Sequence, residues 1–182
     1  MDLSFLEEDS PTVAPRLLGA VVTSTVGGET VSLRLNEVEA YLGEQDSASH
    51  AYRSRTARNE PMYGPAGTIY VFRSYGIHWC MNLVTGGLND PQAVLLRGGT
   101  VVAGRATAIH RRGRSTDLAN GPGKLAQALG VTGVESGSTL GVDNITISGV
   151  PLLPPPHVET SRVGISAGQD RLWRFVLNES NE

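Results

Sequence analysis

A chain of 182 residues, 40% apolar and 18% charged, has the composition of one globular domain with room for its own core, so residues 1–182 read as a single domain. The lone cysteine, Cys80, excludes an intrachain disulfide and fits a reducing cytoplasm; no apolar run reaches membrane-span length, and the acidic start (Asp2, Glu7, Glu8, Asp9) argues against a secretory signal. The formal charge of −3 conceals a division into a net −7 over residues 1–50, +7 over 51–124 and −3 over 125–182. The basic middle holds Arg53, Arg55, Arg58, Arg73, Arg97, Arg105, Arg111, Arg112, Arg114 and Lys124. Such a band suits a phosphate backbone, through counterion release, or equally a solvated arginine-rich face.

Residues 3–19 read as short helical turns stopped by Gly19. Strands are expected over 20–25 and 29–42, with Gly27-Gly28 as the hairpin signal. In the second strand Val31, Leu33 and Leu35 alternate with polar residues; if the alternation continues, Glu37, Glu39 and Tyr41 share the leucine face. Residues 43–66 form a long polar loop, a length usually tied to function or disorder. Strands over 68–72 and 77–84 flank Arg73-Ser74-Tyr75-Gly76, a hairpin whose tip carries an aromatic with nothing local to bury against. A turn at 86–91 leads to a short buried strand over 93–96 that delivers Arg97, which needs a partner because a lone buried charge is costly. Helices are expected over 101–111 and 122–129, the latter with Pro122 in its first turn and Gly130 as its stop. The entry Asn120-Gly121-Pro122-Gly123-Lys124 suits either an anion-binding helix start or a plain cap. Further strands are read at 145–147, 164–165 and 172–177, with Pro154-Pro155-Pro156 as a rigid connector and 178–182 as a loose tail.

The chain contains no CxxC, HExxH, GxSxG or GxxxxGK[ST] motif, and its histidines are His50, His78, His110 and His157. Its one lysine, Lys124, sits in a glycine-rich context unlike the apolar pocket of a Schiff-base lysine. What remains is a carboxylate acting on water: Glu39 beside Tyr41, with His50 and Arg97 as polar candidates. Spacing alone allows Glu39 to be a surface ion pair instead.

The runs Glu37-Val38-Glu39-Ala40-Tyr41-Leu42-Gly43, Arg58-Asn59, Pro65-Ala66-Gly67-Thr68-Ile69-Tyr70-Val71, Tyr75-Gly76-Ile77-His78-Trp79-Cys80-Met81-Asn82, Val94-Leu95-Leu96-Arg97, Gly121-Pro122-Gly123-Lys124-Leu125 and Arg162-Val163-Gly164, with Asp46, His50 and Met62, resemble in collinear order the alkyladenine (3-methyladenine) DNA glycosylase family in its bacterial form. The resemblance implies hydrolysis of the N-glycosidic bond of alkylated or deaminated purines in duplex DNA. It also implies an α+β fold: a curved, mostly antiparallel, open-barrel-like sheet flanked by short helices. On this resemblance Glu39 is the general base, and Arg97 and the Val163 main chain help hold the attacking water. Tyr41, His50 and Phe72 form the base pocket, Phe72 standing where the family usually has tyrosine, and Asn82 crowds the guanine amino group. Tyr75 intercalates, while Arg53, Arg55, Arg73, Lys124, Gly121 and Gly164 are candidates for the DNA backbone. Glu37 receives no role. No metal, Fe–S cluster or organic cofactor is implied; the expected partner is damaged double-stranded DNA and no membrane, bound by a cytoplasmic, nucleoid-associated monomer. The rival is a non-catalytic nucleic-acid-binding module on the same fold, which has no need of a carboxylate facing the pocket.

Overall fold

The computed structural model describes residues 3–178 and shows an α+β fold built on one antiparallel sheet. Among the described residues there are eight strands: β1 (Val21–Ser24), β2 (Val31–Tyr41), β3 (Ile69–Ser74), β4 (His78–Thr85), β5 (Gln92–Ala103), β6 (Ile145–Ser148), β7 (His157–Thr160) and β8 (Arg174–Leu177). The order β3-β4-β5-β2-β1-β6 forms the main path, and β8 pairs with both β2 and β7. The helices are α1 (Ser10–Arg16), α2 (Arg105–Arg112) and α3 (Pro122–Leu129). β2 is the hub: β5 runs along one edge, while the other pairs first with β1 and then, beyond Asn36, with β8.

One face of the sheet carries the main core. Ile69 and Val71, Met81 and Leu83, Val94 and Leu96, and Val38 and Ala40 pack there with Val13, Leu17 and Leu18 around α1 and with Leu125, Ala126 and Leu129 of α3. The intervening residues of the same strands must face the other way, because side chains alternate along a strand. Register lines up Tyr70, Asn82, Leu95 and Glu39 in one row across β3, β4, β5 and β2. That row forms the floor of the site.

The expected continuous alternation of β2 does not hold. Leu33 and Leu35 lie in the core, but so do Val38 and Ala40, so the face changes between them. The register with β5 shifts on either side of Glu37, where Asn36 and then Arg97 are extra residues on their strands. Such bulges re-aim the side chains that follow. Without the first, Glu39 would point into the apolar core.

Other departures have local causes. The strand expected to stop at Leu96 continues to Ala103, so the helix expected over 101–111 begins only at Arg105. β-branched Val101 and Val102 favour extension, and Gly104 ends it at φ 71°, where a Cβ would lie only 2.0 Å from the Thr30 carbonyl oxygen. Residues 164–165 are not a strand, and β7 was not expected. Asn178, assigned to the loose tail, donates its N–H to the Pro156 carbonyl at 3.0 Å; the rest of that tail lies outside the described residues.

Candidate active site

A cavity of about 480 Å³ opens on the sheet face opposite the main core. Tyr41, Phe72, Cys80, Asn82, Leu95 and Arg97 line it from the strands, His50 and Met62 from the long loop, and Val163 to Ala167 from the loop before β8. Glu39 sits beneath, fully buried. Its Oε2 accepts the Tyr41 hydroxyl at 2.7 Å and its Oε1 accepts the Val163 N–H at 2.7 Å, while Arg97 Nη1 stands 3.4 Å from Oε1. A carboxylate offers about four lone-pair directions. These contacts account for fewer than four and aim the group.

Burial, then the charge and hydrogen bond of Glu39, push the Tyr41 hydroxyl far above its ordinary range, so it stays protonated and donating. Arg97 donates Nε–H to Glu37 at 2.8 Å, as Arg174 does at 2.7 Å. Burial works to raise the Glu37 carboxyl, but the hydrogen bonds and charges of Arg174 and Arg97 outweigh it and hold the group below the usual carboxylate range.

An aromatic cluster forms another wall. The His50 ring meets Phe72 edge-on at 4.4 Å between centroids, and His50 Nδ1 lies 2.9 Å from the Tyr70 hydroxyl. Burial, and secondarily Arg58, lowers the His50 pKa, favouring the neutral ring; burial pushes the Tyr70 hydroxyl up to about 12 and the Cys80 thiol up to about 11. Asn82, 4% exposed, donates to the Tyr70 carbonyl at 3.1 Å. The long loop that delivers His50 is organised by Asn59, whose side chain accepts the Thr56 N–H and donates to the carbonyls of His50 and Ser54.

Sequence reasoning missed the clamp that joins the two loops. Arg162 and Asp46, both with fully buried side chains, form a bidentate pair; Arg162 also donates to the carbonyls of Ala40 and Gly168. Its guanidinium lies 4.7 Å from the Tyr41 ring centroid and 5.3 Å from that of Trp173. The clamp therefore backs Tyr41 and holds the residue preceding Val163, whose N–H reaches Glu39. Arg162 fell inside a resembling run and Asp46 was among the single positions beside the runs, but nothing local to either names its partner 116 positions away.

The whole arrangement coincides with a family match: the methylpurine-DNA glycosylase (MPG) model aligns with residues 4–181. The chain belongs to the methylpurine-DNA glycosylase family. Relatives named "Putative 3-methyladenine DNA glycosylase" include one from Frankia casuarinae, 44% identical over 96% of this chain and 87% of its own length. Another, from Cutibacterium acnes, is 46% identical over 91% and 89%, and a third, from Methanoculleus marisnigri, is 43% identical over 97% and 94%. The protein is accordingly a DNA glycosylase, a hydrolase of N-glycosyl bonds in DNA repair.

Of the residues expected to face DNA, Tyr75 and Gly164 line the cavity of this glycosylase. Tyr75, 87% exposed, forms the tip of the β3–β4 hairpin and reaches the cavity rim. It is held at φ 50° next to Gly76 at φ 69°, the paired left-handed conformation of a tight hairpin turn. Arg73 lies over Trp79 at 5.0 Å, and Arg53 is exposed. Arg55 is tied to Glu60 through two nitrogens and to Asn89 through a third. Gly121 caps α3 next to cavity-lining Pro122, Lys124 donates to Asn120 at 2.7 Å, and Gly164 lines the opposite rim at φ 73°.

The basic band divides on folding. Arg97 belongs to the buried site, and Arg111 spends its guanidinium on the carbonyls of Val26, Glu29 and Ala128. Among the described residues no cluster of three or more His, Cys, Asp or Glu side chains could hold a metal ion, and no helix is long and apolar enough to cross a membrane.

Proposed function

We propose that this glycosylase extrudes an alkylated or deaminated purine from duplex DNA into the cavity and hydrolyses its N-glycosidic bond with water activated by Glu39. The observation that carries the reading is the buried Glu39 carboxylate, aimed by Tyr41 and Val163, at the floor of a cavity walled by aromatic rings. A non-catalytic binder gains nothing from a buried anion there, since it repels phosphate.

In this reading the flipped base stacks against Tyr41, His50 and Phe72, and Asn82 crowds a 2-amino group. Extrusion costs a few kcal/mol, and Tyr75 fills the gap left in the stack, as minor-groove wedges do. Cationic alkylated purines gain from the electron-rich rings, by about 0.5–2 kcal/mol. Water, held by Glu39, Arg97 and the Val163 main chain, attacks C1′ while Glu39 takes its proton. The glycosidic electron pair departs with the base, leaving an abasic sugar. A cationic base leaves as a neutral molecule; a deaminated base needs a proton as it departs.

Arg53, Arg73, Lys124 and the backbones of Gly121 and Gly164 contact phosphates. Arg55 joins them only by exchanging Glu60, a small cost because exposed ion pairs are weak. The enzyme acts as a monomer in the cytoplasm, at the nucleoid. The test is single-turnover excision from duplexes carrying alkylated adenine, ethenoadenine or hypoxanthine, by wild type and by Glu39→Gln. Release of none of these bases by wild type, or an unimpaired Glu39→Gln, would refute the assignment.

A further inference from the structure

Glu37 has no part in the mechanism above, yet it is the common acceptor of Arg97 and Arg174, which come from the strands on either side of β2. Its Oε1 takes Nε–H from Arg97 at 2.8 Å and from Arg174 at 2.7 Å. Arg174 lies on β8 directly opposite Glu39 in register, and Arg97 is the extra residue of the β5 bulge. The close approach depends on Gly98, where a Cβ would lie 2.8 Å from Asn36 Oδ1 and 3.2 Å from the Glu37 Cβ.

A guanidinium beside a carboxylate tends to engage it through two parallel N–H bonds. Arg97 does not do so with Glu39. Its Nε is committed to Glu37, and the one nitrogen near Glu39, Nη1, stands at 3.4 Å, beyond ordinary hydrogen-bond length. Glu39 already accepts from Val163 and Tyr41, so a two-pronged Arg97 would occupy the directions that an attacking water requires.

We propose that Glu37 is a positioning residue: by holding Arg97 and Arg174 through their Nε atoms, it keeps both guanidinia from closing on Glu39 and so keeps the general base open to water. The inference rests on Glu39 being the base. The charged and titratable groups around Glu39 are Glu37 and Tyr41 on β2, Arg97 on β5, Arg174 on β8, and Arg162 with its partner Asp46 from the loops. Neutralising Glu37 removes an anion from this set and releases two cations toward Glu39. With either guanidinium closed on Glu39 the approach of water is partly blocked, so the plateau rate falls while binding is kept.

The experiment measures single-turnover excision of a cationic alkylated purine from duplex DNA for wild type, Glu37→Gln, Glu37→Ala, Arg174→Met and Glu39→Gln. Binding to a duplex with an abasic-site analogue and thermal unfolding are measured alongside. Glu37→Gln is expected to bind the analogue like wild type and to lose about tenfold in plateau rate. Glu37→Ala, which also loses the acceptor, loses more. Arg174→Met leaves Glu37 to hold Arg97 and removes the other guanidinium that could close, so it keeps a rate near that of wild type. A Glu37→Gln rate loss that matches its loss of folded protein or of analogue binding would overturn the proposal. Should Glu37→Gln fail to fold, Arg174→Met decides, and a tenfold loss of rate with the fold retained overturns it. If Glu39→Gln excises like wild type, the reading of Glu39 itself falls. If Glu39→Gln is inactive while Glu37→Gln matches wild type in rate, only the role of Glu37 falls.

Discussion

The floor of the cavity and the tip of the β3–β4 hairpin border the same space and are built in opposite ways. At the floor Glu39 is fully buried and meets donors from β2 and from the loop before β8, with Arg97 of β5 close by. At the tip Tyr75 is 87% exposed and held at a backbone angle that L-residues avoid. Chemistry needs a group aimed before substrate arrives, so its partners are built in. A wedge needs a free side chain, because its partner is the base stack. The strained φ of Tyr75 is tolerated where the fold depends least on it.

The largest effect expected is on the floor. Glu39→Gln should slow single-turnover excision by about 10²–10⁴-fold, with the folded structure retained. Breaking the clamp that frames the floor should cost stability instead: Arg162→Leu leaves Asp46 buried without its counter-charge, and chemical denaturation should show a loss of about 3–5 kcal/mol.

The clamp also has a pH signature. Burial works to raise the Asp46 carboxyl, but hydrogen bonding and charge from Arg162 outweigh it, so the folded pKa lies below the ordinary value of 3.8. Its contribution is therefore fully present above pH 3.8 and is lost as the pH falls from there through the folded value. Asp46→Asn should be less stable than wild type near neutrality, and the gap should narrow in that acid window.

At the tip the effects are smaller and of different sign. Tyr75→Ser should weaken flipping by about 1–3 kcal/mol, read with a fluorescent base analogue. Nonspecific, salt-dependent binding should stay nearly intact, and equal losses in both would remove the wedge role. Tyr75→Gly should lose flipping too, yet raise the unfolding free energy by about 1 kcal/mol by relieving the left-handed φ. The smallest effects separate the basic residues. Lys124→Ala should reduce the slope of log affinity against log salt by about 1, whereas Arg111→Met, whose parent side chain is spent on carbonyls, should lower stability and leave the slope unchanged.

Much of this was legible in the chain. Pro122 and Gly130 bracket α3 as expected, and the hairpin was marked by Gly76 following an aromatic with no local partner. The strands expected over 68–72 and 77–84 correspond to β3 and β4. The orientation of Glu39 was not legible, because the bulge at Asn36 becomes visible only once β5 is aligned beside β2. Nor could Glu37 be seen to gather Arg97 and Arg174, the latter 137 residues distant.

Turns and caps act between neighbours in the chain, so the amino-acid sequence alone determined the hairpin carrying Tyr75 and the helix beginning at Pro122. Bulges and buried charge pairs depend on which distant segments the packed sheet brings together. Tertiary structure alone therefore decided that Glu39 faces the cavity rather than the core, and that Glu37, Asp46 and Arg162 surround it.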